Sequence, residues 1–399
     1  MNRRGLIAAA ALASSAAARG QTTSPELAAA PPTAPLDEVL RPYLARYTLP
    51  ALAAAVVRGG QIVAAGAVGT RRVGTETPVG IDDRFHIGSD TKAMTSLLTG
   101  MLVEQGALDW DSTVGATFPE LATGMDAGLQ AVTLEQLLSH TSGIPSDNDA
   151  FGTLLAESLV QSGLNLDELR YWMVRRWSGQ PLATKPGTAF AYSNMGYVIA
   201  GAMLERAAKT TWEELIVERV FTPLDLKTAG FGPQATLGRV DAPLGHLARP
   251  DGTLKPMLAG PGGDNPLVIG PAGTVHLSIP DFAAWAGWHA GEGRRGPALV
   301  RPETLRKLHS PVIDIPVADA APGTPARGGY CLGWGVLTMP FSRAPFLAHA
   351  GSNTMNLAMI MLQPARDLGM VLATNVGGKS ADAALHAVAE DVYGRFGQT

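Results

Sequence analysis

Ser89 and Lys92 stand three positions apart in the run Ser89-Asp90-Thr91-Lys92. Apolar Met94, Leu97, Leu98, Met101 and Leu102 follow at helical spacing, so the pair heads a helix expected over 91–105. Residues three apart on a helix share a face, which lets the lysine nitrogen reach the serine hydroxyl. A serine alcohol is a poor nucleophile unless a base takes its proton. A lysine can be that base when burial and neighbouring positive charge lower its pKa from about 10.4. The same spacing also describes an ordinary lysine on a solvated helix face. Tyr192-Ser193-Asn194 forms a second group, which follows Pro186-Gly187 and precedes another helical pattern, so that a turn presents a phenol and an amide together. The phenol can relay a proton to a leaving group, and the amide can bond a substrate amide while orienting Lys92. Packing of Tyr192 and helix capping by Asn194 are the structural alternatives. A third group, His349-Ala350-Gly351-Ser352, precedes the strand-rich C-terminal end.

In this order and at these wide separations, the three groups resemble the motifs of the serine beta-lactamases, penicillin-binding proteins and beta-lactamase-like carboxylesterases, over about residues 36–395. The resemblance implies that Ser89 is an acyl-accepting nucleophile, Lys92 its partner base, Tyr192 a proton-transfer group and Asn194 a substrate-contacting amide. It implies that His349 stands where the third motif has Lys or His, on an edge strand beside the pocket. Gly351 is then expected to let a substrate backbone approach closely, and the Ser89 and Ser352 N–H groups to form an oxyanion hole. Ala350 departs from the hydroxyl residue with which beta-lactamases and peptidases of this family commonly help to hold a substrate carboxylate. A neutral imidazole at 349 likewise attracts a carboxylate less than an ammonium does, leaving Ser352, Asn353 or Thr354 to compensate. Both changes favour a small-molecule ester as substrate, ahead of a D-amino-acid peptide and then a beta-lactam. A noncatalytic envelope ligand-binding protein on the same scaffold is the reading outside the enzymes. His140-Thr141-Ser142-Gly143 and the Gly329–Gly335 stretch resemble further family segments; His140 reads as structural support, and Trp334 as pocket wall or core.

The elements that must position these residues can be read from periodicity. A helix is expected over 36–47, then two apolar segments over 51–58 and 61–68 around Gly59-Gly60, a hairpin signal. Helical patterns run over 166–177, 195–208, 212–221, 280–289 and 381–393, and Thr133-Leu-Glu-Gln136 is a capping box. Residues 230–274 are rich in Gly and Pro and read as loops forming a lid or site wall. Strands are expected over 330–338, 356–363 and 370–375. The order predicts an α/β, beta-lactamase-like two-lobed fold: an antiparallel sheet flanked by helices, from about 36–88 and 275–395, clasping a mainly helical lobe from about 89–274.

Composition excludes other classes. With 46% apolar and 17% charged residues the chain is an ordinary globular one, and a net charge of -4 with scattered basic residues gives no footprint for nucleic acid. The single Cys331 cannot form an internal disulfide and reads as core packing. Arg3 and Arg4 before the apolar run from Leu6 to Ala18 read as a signal peptide over 1–20, with a weak twin-arginine character, followed by a linker over 21–35. Export, to a bacterial periplasm, is expected, with no integral membrane span after signal removal. Gly291-x-Gly293-x-x-Gly296 lacks the strand before it that a dinucleotide fingerprint requires. There is no Gly-x-Ser-x-Gly elbow and no His-Glu-x-x-His helix, so neither a cofactor nor a metal is expected.

Overall fold

The computed structural model describes residues 33–260, 262–316 and 327–397. The expected signal peptide and the first part of the linker lie outside the described residues. The linker's last residues do not: Ala34–Pro35 forms a short strand, parallel to Gln61–Gly69.

The two apolar segments of the N-terminal region are strands Ala51–Arg58 and Gln61–Gly69, turned by Gly59 and Gly60 at φ of 57° and 76°, the left-handed conformation a two-residue hairpin loop needs. Both chain ends meet in one sheet, because Ala51–Arg58 pairs antiparallel with Leu368–Thr374. From there the sheet runs through Leu357–Gln363, Phe346–Ser352, Gly335–Leu337 and Arg327–Tyr330 to Ile313–Pro316, nine strands in all among the described residues. The Ala34–Pro35 pairing makes it mixed; the other pairings are antiparallel.

Leu357–Gln363 and Leu368–Thr374 are buried along their whole length, which requires cover on both faces. On one face Leu36, Leu40, Leu385 and Val388, from the Asp37–Tyr47 and Lys379–Phe396 helix regions, pack on Leu52, Val56, Met361 and Leu372. On the other, Phe282, Ala283 and Ala286 of the Ile279–Ala290 helix meet Ala53, Ala55, Ile360 and Val371. This second core continues into the helical lobe through Met94, Leu97 and Leu98. The two-lobed α/β architecture is thus the one expected.

Several elements differ from their sequence reading. The helix Thr91–Glu104 is buried on every side from Thr91 to Leu102, although its apolar residues form only one stripe. Its polar side accommodates burial because Thr95 donates to the Pro271 carbonyl (2.7 Å) and Thr99 to the Thr95 carbonyl (2.9 Å). The expected strand over 330–338 is two strands, Arg327–Tyr330 and Gly335–Leu337, joined by a turn with Gly333 at φ 78°. A Cβ on Gly333 would stand 2.8 Å from the Lys92 carbonyl oxygen, so the turn folds tightly onto the Ser89 helix. Residues 230–274 are not merely loops: they hold strand Gly230–Phe231, hairpin Gly245–Ala248 with Leu254–Met257, and short helix Gly270–Gly273. No helix among the described residues is long and apolar enough to cross a membrane.

Candidate active site

Ser89 lies in a one-turn 3-10 helix, Gly88–Asp90, that feeds directly into Thr91–Glu104. Ser89 is partly exposed and Lys92 fully buried. The Lys92 Nζ stands 3.0 Å from Ser89 Oγ, 2.7 Å from Asn194 Oδ1 and 2.7 Å from the Ala272 carbonyl oxygen. The amide and peptide oxygens only accept. A neutral amine satisfies both with its two N–H bonds and turns its lone pair toward the serine hydroxyl, the orientation a base requires. Burial lowers the Lys92 pKa to about 7, while the negative charges of Asp147 and Asp90 oppose the shift.

Tyr192 lies with its ring centre 4.8 Å from Lys92 Nζ. Burial raises its phenol well above the ordinary value, with hydrogen bonding to Ser89 offsetting part of the shift. A phenol in that state is a proton donor at neutral pH rather than a phenolate. His140 shapes the segment: its Nδ1 accepts from the Ser193 N–H (3.1 Å), its carbonyl accepts from the Ala191 N–H (2.8 Å), and its ring lies 4.1 Å from that of Tyr192. Burial holds this imidazole neutral, well below its ordinary pKa, as a structural histidine.

Asn194 opens the helix Asn194–Ala208, but the N-cap is Ser193, whose Oγ accepts from Gly196 N–H. The Asn194 amide is committed at both ends, its oxygen to Lys92 and its Nδ2 to Asp147 Oδ2 at 2.5 Å. Its orienting role toward Lys92 therefore has a geometric basis, and contact with a substrate amide falls to the second Nδ2 hydrogen, since the bond to Asp147 uses one of the two. Asp147 also accepts from the Asn194 backbone N–H (3.1 Å). Sequence reasoning missed this residue, which sits in an irregular loop with no spacing that ties it to Asn194.

The third group lies on Phe346–Ser352, which is interior to the sheet between Gly335–Leu337 and Leu357–Gln363 rather than at its edge, although pairing with Gly335–Leu337 covers only Phe346–Ala348 and His349–Ser352 run past that neighbour. Gly351 has a different reason from the one expected. A Cβ there would stand 1.9 Å from the Ile87 carbonyl oxygen and 2.5 Å from the Ser89 nitrogen, so its bareness admits the protein's own Ser89 turn. Gly88 is its counterpart: at φ 52°, its Cβ would stand 2.3 Å from the Ser352 nitrogen. The two glycines interlock and bring the Ser89 and Ser352 backbones together. His349 is 6% exposed at its side chain, with Nδ1 3.3 Å from Asp90 Oδ1 and Nε2 3.2 Å from the Tyr330 hydroxyl. The Asp90 contact is close but lacks hydrogen-bond alignment. Burial pushes His349 down to about 3 and Asp90 upward, so the imidazole is uncharged at neutral pH. Ser352 and Asn353 do not replace a carboxylate-holding hydroxyl: Ser352 Oγ donates to the Asn356 carbonyl and accepts from Thr354 N–H, and Asn353 bonds Asp264, Met355 and Asn356, which leaves the exposed Thr354 as the remaining candidate. Trp334 is fully buried, with its ring 5.0 Å from that of His289, in the core rather than on the site wall.

Comparison with known families matches residues 36–393 to the family described as Beta-lactamase. The chain belongs to the beta-lactamase family. Membership places this beta-lactamase relative in the class of serine hydrolases with that fold. Among curated proteins it is similar to protein flp of Staphylococcus aureus strain MW2, 23% identical over 86% of this chain, and spans 63% of that protein's length. It is also similar to penicillin-binding protein 4 of Amycolatopsis lactamdurans, 27% identical over 78% of this chain and 77% of that protein. Of solved structures, the octameric penicillin-binding protein homologue from Pyrococcus abyssi superposes with a TM-score of 0.72 at 23% identity, over 90% of this chain and 76% of the other. The D-amino acid amidase from Ochrobactrum anthropi SV3, complexed with L-phenylalanine amide, superposes at 0.68 with 19% identity, over 90% and 95%. At these identities the superpositions establish a common fold.

Proposed function

We propose that the protein is a serine acyl hydrolase working through an acyl-Ser89 intermediate, with neutral esters favoured. The observation that carries the reading is the buried Lys92 amine, 3.0 Å from Ser89 Oγ and lowered to a pKa of about 7. Lys92 takes the Ser89 proton as Oγ attacks the substrate carbonyl, and the oxyanion that forms is met by the Ser89 and Ser352 N–H groups. The C–O bond to the leaving group then breaks as Tyr192, a protonated phenol, passes it a proton that Lys92 replaces. Water attacks the acyl-serine in the second half, its proton returning through Lys92 and Tyr192 to the serine oxygen.

Preference for an uncharged substrate follows from the third group. His349 is uncharged and engaged, Ala350 has no hydroxyl, and the Ser352 and Asn353 side chains are spent on the turn. The test is a substrate panel of p-nitrophenyl esters, a D-alanyl-D-alanine peptide and benzylpenicillin, with Ser89→Ala as control. Ester turnover that disappears in Ser89→Ala and exceeds that on the other two supports the reading. Preferred cleavage of the peptide or the beta-lactam overturns the ester assignment, and equal turnover by Ser89→Ala overturns the mechanism.

A further inference from the structure

His86, Asp264 and Asn353 form a polar cluster that the chemistry above does not use. His86 ends the strand Arg84–His86, three residues before Ser89, and its side chain is fully buried. Its Nδ1 accepts from the Gly88 N–H at 3.0 Å. That donor occupies the Nδ1 lone pair, so the imidazole carries its proton on Nε2. Nε2 faces Asp264 Oδ2 at 3.0 Å, close but off the hydrogen-bond line, and Asp264 is itself 3% exposed. The other carboxylate oxygen accepts from Asn353 Nδ2 (2.7 Å) and from the Asn265 N–H (2.7 Å). Asn353 in turn fixes the turn after Ser352, where its Oδ1 accepts from the Met355 N–H (3.2 Å) and Asn356 Nδ2 (3.0 Å).

One buried carboxylate therefore touches both arms of the proposed oxyanion hole: it lies 3.0 Å from His86, which reaches the Ser89 arm through Gly88, and it is hydrogen-bonded to Asn353, which reaches the Ser352 arm. The Gly88–Gly351 interlock prevents these arms from approaching further, but nothing in that interlock prevents them from separating. We propose that Asp264 is a positioning residue that sets the spacing of the Ser89 and Ser352 amides by drawing His86 and Asn353 onto one carboxylate. The inference rests on the proposed oxyanion role of those amides. It gives the 230–274 segment a function that is not simply cover: the segment carries the group that ties the two arms together. A buried carboxylate suits this place because His86, Asn353 and the Asn265 N–H are all donors, which an amide or an apolar residue cannot satisfy together.

The test compares wild type, Asp264→Asn and the exchange variant Asp264→Asn/Asn353→Asp. Each is assayed with p-nitrophenyl butyrate and titrated with a fluorophosphonate that reacts at the active-site serine. In the single variant an amide with one acceptor oxygen faces three donors, His86, Asn353 and the Asn265 N–H. In the exchange variant its oxygen faces His86 and its nitrogen the new carboxylate, and the Asn265 N–H alone is left without its acceptor. Displacement of oxyanion donors by a fraction of an ångström lowers kcat without touching ground-state binding, so the expected loss in Asp264→Asn is about 10- to 100-fold in kcat per titrated site. KM should stay within about threefold, phosphonylation should slow in parallel, and the exchange variant should recover most of the loss. The inference is overturned if folded Asp264→Asn keeps kcat, if the loss lies in KM, or if the exchange variant remains as slow as the single one. Should Asp264→Asn not fold, Asn353→Ala, which frees one arm alone, is judged by the same kcat and KM criteria. Absence of any Ser89-dependent labelling in wild type removes the oxyanion reading itself, and the inference with it.

Discussion

Lys92 is enclosed on all sides, and the water its ammonium gives up draws its pKa down to about 7. Only the neutral amine has a lone pair for the Ser89 proton, so kcat/KM for an ester is predicted to rise with pH through an apparent pKa near 7, set by Lys92. Replacing Lys92 with Ala should reduce kcat by about 10²- to 10⁴-fold, the range for loss of a general base, and flatten that limb of the profile. Asp147 acts on the same limb from outside. Its negative charge favours the ammonium and raises the Lys92 pKa, so Asp147→Asn should move the rising limb toward lower pH. A pH–rate series on the variant decides this, and a shift toward higher pH would contradict the assigned electrostatics. The Ser89–Lys92 spacing was legible because helix geometry alone brings residues three apart together. Asp147, His86 and Asp264 were not, because their roles arise from contacts between segments distant in the sequence.

At the scale of elements, the Ser89 turn and the Phe346–Ser352 strand fit only because two glycines face each other. Gly351→Ala puts a methyl 1.9 Å from the Ile87 carbonyl and 2.5 Å from the Ser89 nitrogen, and neither backbone can yield without moving the turn. Overpacking of this kind costs about 1–3 kcal/mol or more, and labelling of Ser89 by a fluorophosphonate is predicted to be lost with it. Gly59→Ala is the control: its φ of 57° is strained for alanine, but nothing lies within 4 Å of the added carbon. That variant should lose about 1 kcal/mol in urea unfolding and label normally. Equal labelling of both variants would show that the Gly351 contact does not position Ser89. Sequence periodicity located the hairpin, the Thr133 capping box and the long helices, because those depend on local pattern. It could not show that Thr91–Glu104 is buried all round, since Thr95 and Thr99 satisfy their hydroxyls on carbonyls supplied from within the fold. It also missed the break at Gly333 and the interior position of the His349 strand, both set by tertiary packing.

For the whole molecule, two cores back the sheet, and the one shared with the helical lobe contains buried neutral imidazoles. Beside them, the partly exposed His309 is driven down to about 3 by loss of water and shares a 2.9 Å contact with the fully buried His289, also lowered by burial. The unfolded chain protonates such a histidine near pH 6.5, whereas the folded protein does not until near pH 3. Between those values the unfolded state binds more protons, so this contribution to stability falls as the pH falls. His309→Gln removes the titration and should flatten the decline in urea midpoint between pH 7 and 5, by on the order of 1 kcal/mol per pH unit. An unchanged slope would show that His309 does not remain neutral in the folded protein.

The central claim, a serine activated by a buried neutral lysine, is tested most directly by following intact-protein mass during fluorophosphonate labelling from pH 5 to 9. The account predicts one adduct on the wild type, none on Ser89→Ala, and a labelling rate that climbs with an apparent pKa near 7. Labelling that persists in Ser89→Ala, or a wild-type rate indifferent to pH across that range, would contradict it.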